Sequence, residues 1–99
     1  MQKVLIIDEE DNVAVAVQPL KKGDEVNINL KSRGKVYKLK VYESIPFGHK
    51  IALKEIKKGE RVIKYGQAIG KATKNIDKGE HVHTHNVEST KGRGDLQIG

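Results

Sequence analysis

Hydrophobic and polar residues alternate along most of the chain in short runs that end at glycine or proline. The runs are often rich in β-branched residues, and the apolar spacing typical of a helix is weak throughout. This pattern predicts strands over residues 3–7, 12–17, 25–30, 35–42, 49–54, 61–64, 67–74 and 81–87. Many short strands separated by turn signals predict an all-β fold, either a barrel or a clip, in one compact domain.

One seven-residue pattern occurs three times, at residues 20–26, 56–62 and 76–82. It reads as an aliphatic residue, two polar residues with Lys second, Gly, an acidic residue, any residue and Val. An aliphatic anchor followed by Gly and a β-branched residue is typical of a tight turn that leads into a strand. The unequal separations of 36 and 20 residues argue against a solenoid and indicate recurring corners of one sheet structure.

Three of the four histidines, His81, His83 and His85, alternate with other residues in the last predicted strand. Side chains at every second strand position share a face, with neighbouring Cα atoms about 6.5–7 Å apart. Two such imidazoles can bind one divalent metal ion, whereas His81 and His85 are roughly 13 Å apart on a straight strand. The pattern therefore predicts a metal site or acid–base site, completed by a bulge or by another ligand.

The additional ligand has three candidates in the sequence: His49, which lies in a turn, Glu88 and Asp95. The alternative interpretation is a polar strand end whose neutral imidazoles make ordinary hydrogen bonds. No serine nucleophile motif competes with the histidines, and no glycine loop for phosphate opens a predicted helix.

Composition narrows the class of protein. With 99 residues, of which 36% are hydrophobic, the chain can form a modest core but no deep enclosed pocket. The absence of cysteine excludes disulfides, cysteine zinc sites and thiol nucleophiles within the chain. No run reaches the roughly 18–20 apolar residues of a membrane span, so we expect a cytoplasmic protein without a membrane partner. Residues 1–87 are predicted to form the domain, and 88–99 a polar, glycine-rich, flexible tail.

The formal net charge of +6 raises the possibility of nucleic-acid binding. The lysines are dispersed beside turn glycines or gathered in one cluster at residues 31–40, and 4% aromatic residues provide few platforms for base stacking. We therefore expect no nucleic-acid partner, and a solvated lysine-rich surface is the simpler interpretation.

Four segments, residues 11–16, 45–53, 63–72 and 79–87, resemble the amino-terminal module of altronate and galactarate dehydratases. The most specific matches are Gly48-His49-Lys50, the turn around Tyr65, and the histidine strand. The resemblance extends over residues 8–96, nearly the whole chain, and implies a SAF domain with a β-clip fold.

The resemblance implies lyase chemistry on a sugar acid. In this family the module is either fused to a larger catalytic region or encoded as a small subunit, as in sulfolactate sulfo-lyase. The chain is therefore expected to act with a large catalytic subunit and to be inactive alone. The expected reaction removes the proton next to a carboxylate and expels the neighbouring hydroxyl as water, which requires a base and an acid.

The resemblance also assigns roles to individual residues. The expected catalytic residues are His49, His83 and His85. The expected ligands of a divalent iron or manganese ion are His81, His83 and His85. The residues expected to attract the anionic substrate are Lys50, Lys64 and Arg93.

Several alternatives remain open at this stage. The chain can instead be a stand-alone module that binds a carbohydrate or sugar acid, or an assembly module, without catalysis. The sequence leaves undetermined whether the substrate is altronate, galactarate or sulfolactate, and a homo-oligomer is also possible.

Overall fold

A computed structural model describes residues 3–6, 10–30 and 35–89 and shows nine strands and no helix within them. The strands are β1 (Val4–Leu5), β2 (Val13–Ala16), β3 (Glu25–Leu30), β4 (Lys35–Lys40), β5 (Lys50–Ala52), β6 (Arg61–Lys64), β7 (Gln67–Ala72), β8 (His81–Val82) and β9 (Val87–Ser89). The all-β prediction is therefore confirmed, although most strands are shorter than predicted. Residue 7, the end of the first predicted strand, lies outside the described residues.

The strands form three small sheets, all with antiparallel pairing. The central sheet has the order β1-β2-β5-β8, the second is the hairpin β3-β4, and the third has the order β6-β7-β9. No helix of the described part is long and apolar enough to cross a membrane.

The seven-residue corner occurs four times in the structure rather than three. Gly23, Gly48, Gly59 and Gly79 hold the same position in the four turns, with φ between 84° and 95°. The aliphatic anchors before them are buried and pair by isolated bridges, Leu20 with Ile45 and Ile56 with Ile76. The corner at residues 45–51 does not match the sequence pattern, because it has Phe47 in place of the lysine and His49 in place of the acidic residue; it also differs at its outer positions, Pro46 and Ile51.

In the other three corners the acidic residue after the glycine stabilises the turn. Its carboxylate accepts a hydrogen bond from the backbone N–H three residues earlier. The donor–acceptor pairs are Lys21 N to Asp24 Oδ2 at 2.9 Å, Lys57 N to Glu60 Oε1 at 2.6 Å and Asp77 N to Glu80 Oε1 at 2.6 Å. In the remaining corner the donor position is Pro46, which has no N–H. A carboxylate is therefore unnecessary there, and the position is available to His49.

The corners divide the fold into two similar halves. Residues 20–52 and 56–82 each contain a corner, a hairpin, a second corner and a short strand, in that order. The final strands of the halves pair with each other through Lys50 with Val82 and Ile51 with His81. Since Lys50 and His81 occupy equivalent positions in the two halves, as do Ile51 and Val82, an approximate two-fold axis passes between β5 and β8.

Each half has its own hydrophobic core. Leu20, Ile28 and Ile45 belong to the first core, and Ile56 and Ile76 belong to the second. The central sheet serves both, since in β2 the side chain of Ala14 joins the first core while that of Val13 joins the second. The central sheet at the junction of the halves is thus buried on both faces, which restricts the positions of side chains at its edge.

The predicted strand over residues 81–87 is wrong. β8 ends at Val82, and the chain turns before β9 begins at Val87 in another sheet. Asn86 holds this turn, because its Oδ1 accepts a hydrogen bond from His83 N at 3.0 Å and its Nδ2 donates to His81 O at 2.8 Å. At residues 83–86 the side-chain amide of Asn86 therefore provides backbone hydrogen bonds that a neighbouring strand would otherwise provide.

Candidate histidine and lysine site

Three histidines converge at the junction of the two halves. His49 enters from the corner before β5, His81 lies on β8, and His83 begins the turn after β8. Nδ1 of His49 lies 2.8 Å from Nε2 of His81, and the rings of His49 and His83 stack with centroids 3.7 Å apart. One ring nitrogen from each of the three lies within 4.8 Å of the others, a spacing that fits ligands of a single metal ion.

His85 lies beside this trio but outside it. Its side chain is exposed, and its ring centroid is 4.9 Å from that of His81 at an angle of 37°. The three histidines whose ring nitrogens approach one another are His49, His81 and His83, so His49 takes the place predicted for His85 from the sequence. The roles predicted for these four histidines remain predictions.

Two of the three converging histidines have a lowered pKa. Burial lowers the pKa of His81, and the nearby His85 and His49 lower it further, while Glu43 opposes the shift. Burial also lowers the pKa of His83, with additional repulsion from other cationic groups nearby. Neutral imidazoles keep a lone pair for metal binding or for accepting a proton.

The Nδ1 atom of His83 is buried and has no hydrogen-bond partner among the residues that the structure describes. A buried nitrogen without a partner is unfavourable by about 1–3 kcal/mol. This atom therefore identifies a place where a further group, such as a metal ion or a polar ligand atom, would stabilise the site.

A cavity of about 210 Å³ adjoins the histidines and carries two lysines. It is lined by Lys50, Lys64, Ile69, His83, Thr84, Val87 and Ser89. Burial lowers the pKa of Lys50, and the charge of Lys64 lowers it further. Two ammonium groups that repel each other beside an imidazole form a favourable site for an anion such as a carboxylate.

The predicted substrate-binding residues Lys50 and Lys64 are therefore brought together, whereas Arg93 lies outside the described residues, as does the candidate ligand Asp95. Glu88 is described, on β9, and is not part of the group of close ligand atoms.

Three polar residues that position the site were missed in the sequence. Asn86 holds His81 and His83, as described above, and Asn12 is buried and anchors β6 by donating to Arg61 O and accepting from Ile63 N. Asp11 accepts a hydrogen bond from Gly66 N at 2.8 Å and so holds the turn after Lys64. The available signal was weak: asparagine disfavours strands, so Asn86 inside a predicted strand indicated a break.

The fold and site together define the class: a helix-free β-clip module, over its described residues, with histidines at the junction of two similar halves. The sequence profile of the altronate/galactarate dehydratase SAF domain matches residues 2–90. The chain belongs to this family, which confirms the resemblance seen in its motifs.

Individual relatives give the same result. The chain is 36% identical over 98 residues to altronate dehydratase of Bacillus subtilis, covering 99% of this chain but 18% of that protein. It is 42% identical over 79 residues to altronate dehydratase of Escherichia coli, covering 80% of this chain and 15% of that protein. The chain thus spans less than a fifth of the length of these two relatives.

A third relative has a different size. The (2R)-sulfolactate sulfo-lyase subunit alpha of Chromohalobacter salexigens is 33% identical over 88 residues, covering 88% of this chain and 94% of that protein. The relatives therefore support a module related to lyases and dehydratases, and one relative is named as a subunit of a larger enzyme.

Proposed function

We propose that this chain is the SAF module of a sugar-acid dehydratase of the altronate dehydratase type, and that it acts with a large catalytic subunit. The observation that carries the proposal is the cavity in which Lys50 and Lys64 adjoin His83, in a chain of this family. The module supplies one wall of the active site, and the large subunit supplies the rest.

The two lysines bind the carboxylate of the substrate. An anion between Lys50 and Lys64 relieves their mutual repulsion, which is one cause of the lowered pKa of Lys50. The sugar-acid carboxylate then lies next to His83, and its α-carbon lies within the reach of the histidine group. Arg93 contributes in the same way as the lysines, through its positive charge.

The elimination needs a base and an acid. A neutral imidazole takes the proton from the carbon next to the carboxylate, the electron pair forms the carbon–carbon double bond, and the neighbouring carbon–oxygen bond breaks. A protonated group then supplies a proton to the departing hydroxyl, which leaves as water. His49, His83 and His85 are the candidates for these transfers in this chain, and the enol product becomes a ketone by a further proton shift.

The histidine trio also fits a divalent iron or manganese ion. His49, His81 and His83 would hold it, because their ring nitrogens approach one another and Nδ1 of His83 lacks a partner among the described residues. His85, the third ligand expected from the sequence, is the next ligand available. When bound, the ion supplies a Lewis acid that stabilises the negative charge developing on the carboxylate.

A large partner and a cytoplasmic location complete the proposal. The sulfolactate relative is itself named as a subunit, and the altronate dehydratases extend far beyond the part that this chain matches. Sugar acids of this type are small and anionic, and no nucleic-acid or membrane partner is needed for the reaction.

The test is reconstitution. The chain is mixed with the large protein from the same organism that matches the rest of the Bacillus subtilis altronate dehydratase, and product formation is followed with altronate, galactarate and sulfolactate. We expect no turnover by the chain alone, dehydration by the mixture, and loss of activity with His83→Ala. A mixture inactive on all three substrates would refute the lyase proposal. The matched control is Lys58→Ala, in a corner that does not line the cavity, and it should leave the activity of the mixture unchanged.

A second candidate is a stand-alone module that binds sugar acids without catalysis. It is favoured by one observation, namely that Lys50, Lys64 and His83 of this chain line one cavity with two cationic groups. Calorimetric titration of the chain with altronate tests it: micromolar affinity without any partner, unaffected by divalent ions, would support this candidate over the first.

A further inference from the structure

The four corners provide an internal comparison of one exposed position. Two residues after the aliphatic anchor, three corners have a lysine, namely Lys22, Lys58 and Lys78, whereas the corner before β5 has Phe47. The glycine that follows has nearly the same φ in all four corners, from 84° to 95°, so the backbone conformation is the same. Phe47 is thus the one corner tip of the four with an aromatic side chain.

The fold does not require Phe47. Its side chain is 68% exposed, more than any other large hydrophobic side chain of the described residues, and a lysine serves the same backbone elsewhere. An aromatic ring contributes to stability mainly when it is removed from water. The ring therefore adds little to the stability of this chain's own core and is available for contact with another molecule.

The exposed ring belongs to a small apolar surface beside the histidine site. Gly48 N donates to Ala16 O at 2.8 Å, and Ala16 N donates to His49 O at 2.8 Å, which places Val17 next to the corner. Val17 is 40% exposed, and Pro46 is also exposed. We name Val17, Pro46 and Phe47 the Phe47 surface; it is separated from His49 by a single residue, Gly48.

We infer that the Phe47 surface is the docking point of the large polypeptide that completes the histidine site, and that Phe47 enters an apolar pocket of that polypeptide. The inference rests on the proposed function, which requires such a partner. Aromatic side chains dominate binding energy at protein interfaces, especially near the centre of the contact. Because Phe47 and His49 share one rigid corner, docking of the ring would also fix the position of the imidazole relative to the partner.

Charge favours this partner over a second copy of the chain. Each copy carries a formal charge of +6, so two copies repel each other. The corner at residues 20–26, which is bridged to the Phe47 corner through Leu20 and Ile45, adds the exposed Lys21 and Lys22. The partner pocket is therefore expected to be apolar at its centre and acidic at its rim. The two altronate dehydratases contain enough additional polypeptide to form such a pocket, since 82% and 85% of their lengths lie outside the segment that this chain matches.

The test measures affinity for the large protein used in the reconstitution, by calorimetry or by surface-based binding. Phe47→Lys should weaken binding at least 30-fold, which corresponds to about 2 kcal/mol at 1.4 kcal/mol per tenfold. The same change should leave the melting temperature of the chain within about 3 °C, because lysine is accommodated at this position in the other corners. The reverse change at an equivalent tip, Lys58→Phe, is the matched control and should not alter binding.

Activity distinguishes docking from catalysis. Raising the concentration of Phe47→Lys should restore the turnover of the mixture, whereas no concentration of His83→Ala should do so. If the complex forms but is inactive on every substrate, the proposed function is refuted. The docking inference is then still tested by comparing the affinities of Phe47→Lys and the wild-type chain for the large protein. Unchanged affinity of Phe47→Lys, or no binding of the wild-type chain to the large protein, would overturn it. A wild-type dimer in sedimentation that Phe47→Lys dissociates would assign the surface to a second copy and would also overturn it.

Discussion

Replacement of Asn86 by alanine tests how the histidine turn is held. Asn86 is 4% exposed, and its amide makes two hydrogen bonds to the backbone, to His83 N and His81 O. Alanine leaves both partially buried backbone groups without these bonds. A lost bond that leaves a fully buried group unpaired is unfavourable by about 1–3 kcal/mol. Because both backbone groups are only partly buried, we take about 1–2 kcal/mol for each, so Asn86→Ala should destabilise the fold by about 2–4 kcal/mol.

The matched control is Asn75→Ala. The Asn75 side chain also accepts a backbone hydrogen bond, from Lys58 N at 2.9 Å, but this bond is exposed and water can replace it. Its loss should change stability by no more than about 1 kcal/mol. The two variants therefore differ in burial and in the number of bonds lost, while the chemical change is identical.

Thermal unfolding followed by circular dichroism checks this prediction. For a domain of this size, 1 kcal/mol shifts the midpoint by roughly 4–8 °C, so Asn86→Ala should unfold about 8–32 °C below the wild type. Equal midpoints for the two variants, or a shift below about 3 °C for Asn86→Ala, would show that the amide does not hold the turn.

Three further predictions concern the corners and the histidines. Gly79→Ala should destabilise by at least about 2 kcal/mol more than Gly23→Ala in denaturant titrations, because both have positive φ but only at Gly79 would a Cβ meet neighbouring atoms. The free energy of unfolding should fall as the pH drops below 6.5, the ordinary pKa of histidine. Folding lowers the pKa of His81 and His83, so in this range the unfolded chain binds more protons than the folded chain. Melting curves of His83→Gln should show a weaker pH dependence than those of the wild type. His49→Ala should lower the affinity for Mn²⁺ at least tenfold by calorimetry, and equal affinity would remove His49 from the ligand set.

The similarity of the four corners shows what is different at His49. The residue after the glycine is Asp24, Glu60 or Glu80 in three corners, where it accepts a backbone hydrogen bond. In the Phe47 corner, proline removes the donor, and the same position presents His49 to the site. One local structure thus carries a backbone-bonding carboxylate in three corners and, in the fourth, a histidine that contacts His81 beside an exposed aromatic ring.

The fold class and the corners follow largely from local sequence. Alternating β-branched residues and glycines act over a few residues, so the strands over 25–30 and 61–64 and three of the corners could be predicted from neighbouring positions alone. The Phe47 corner was missed because its sequence lacks both the lysine and the acid of the pattern, although Ile45 and Gly48 keep the anchor and the turn. The pattern requires an acidic residue after the glycine, but the backbone uses that carboxylate only where the residue three positions earlier has an N–H, and Pro46 has none.

The arrangement of the histidine site could not be predicted from neighbouring residues alone. The spacing of His81, His83 and His85 indicated the region where the histidines converge, but the straight strand assumed between them does not exist, because the side chain of Asn86 bonds to the backbone of the turn. His49 joins His81 because β5 pairs with β8 in the register of Ile51 with His81, a contact between residues that are distant in sequence. Thus the residue types for imidazole and ammonium chemistry were determined by the sequence itself. Only the tertiary structure decided which of them meet, since strand register depends on the packing of two cores against one sheet.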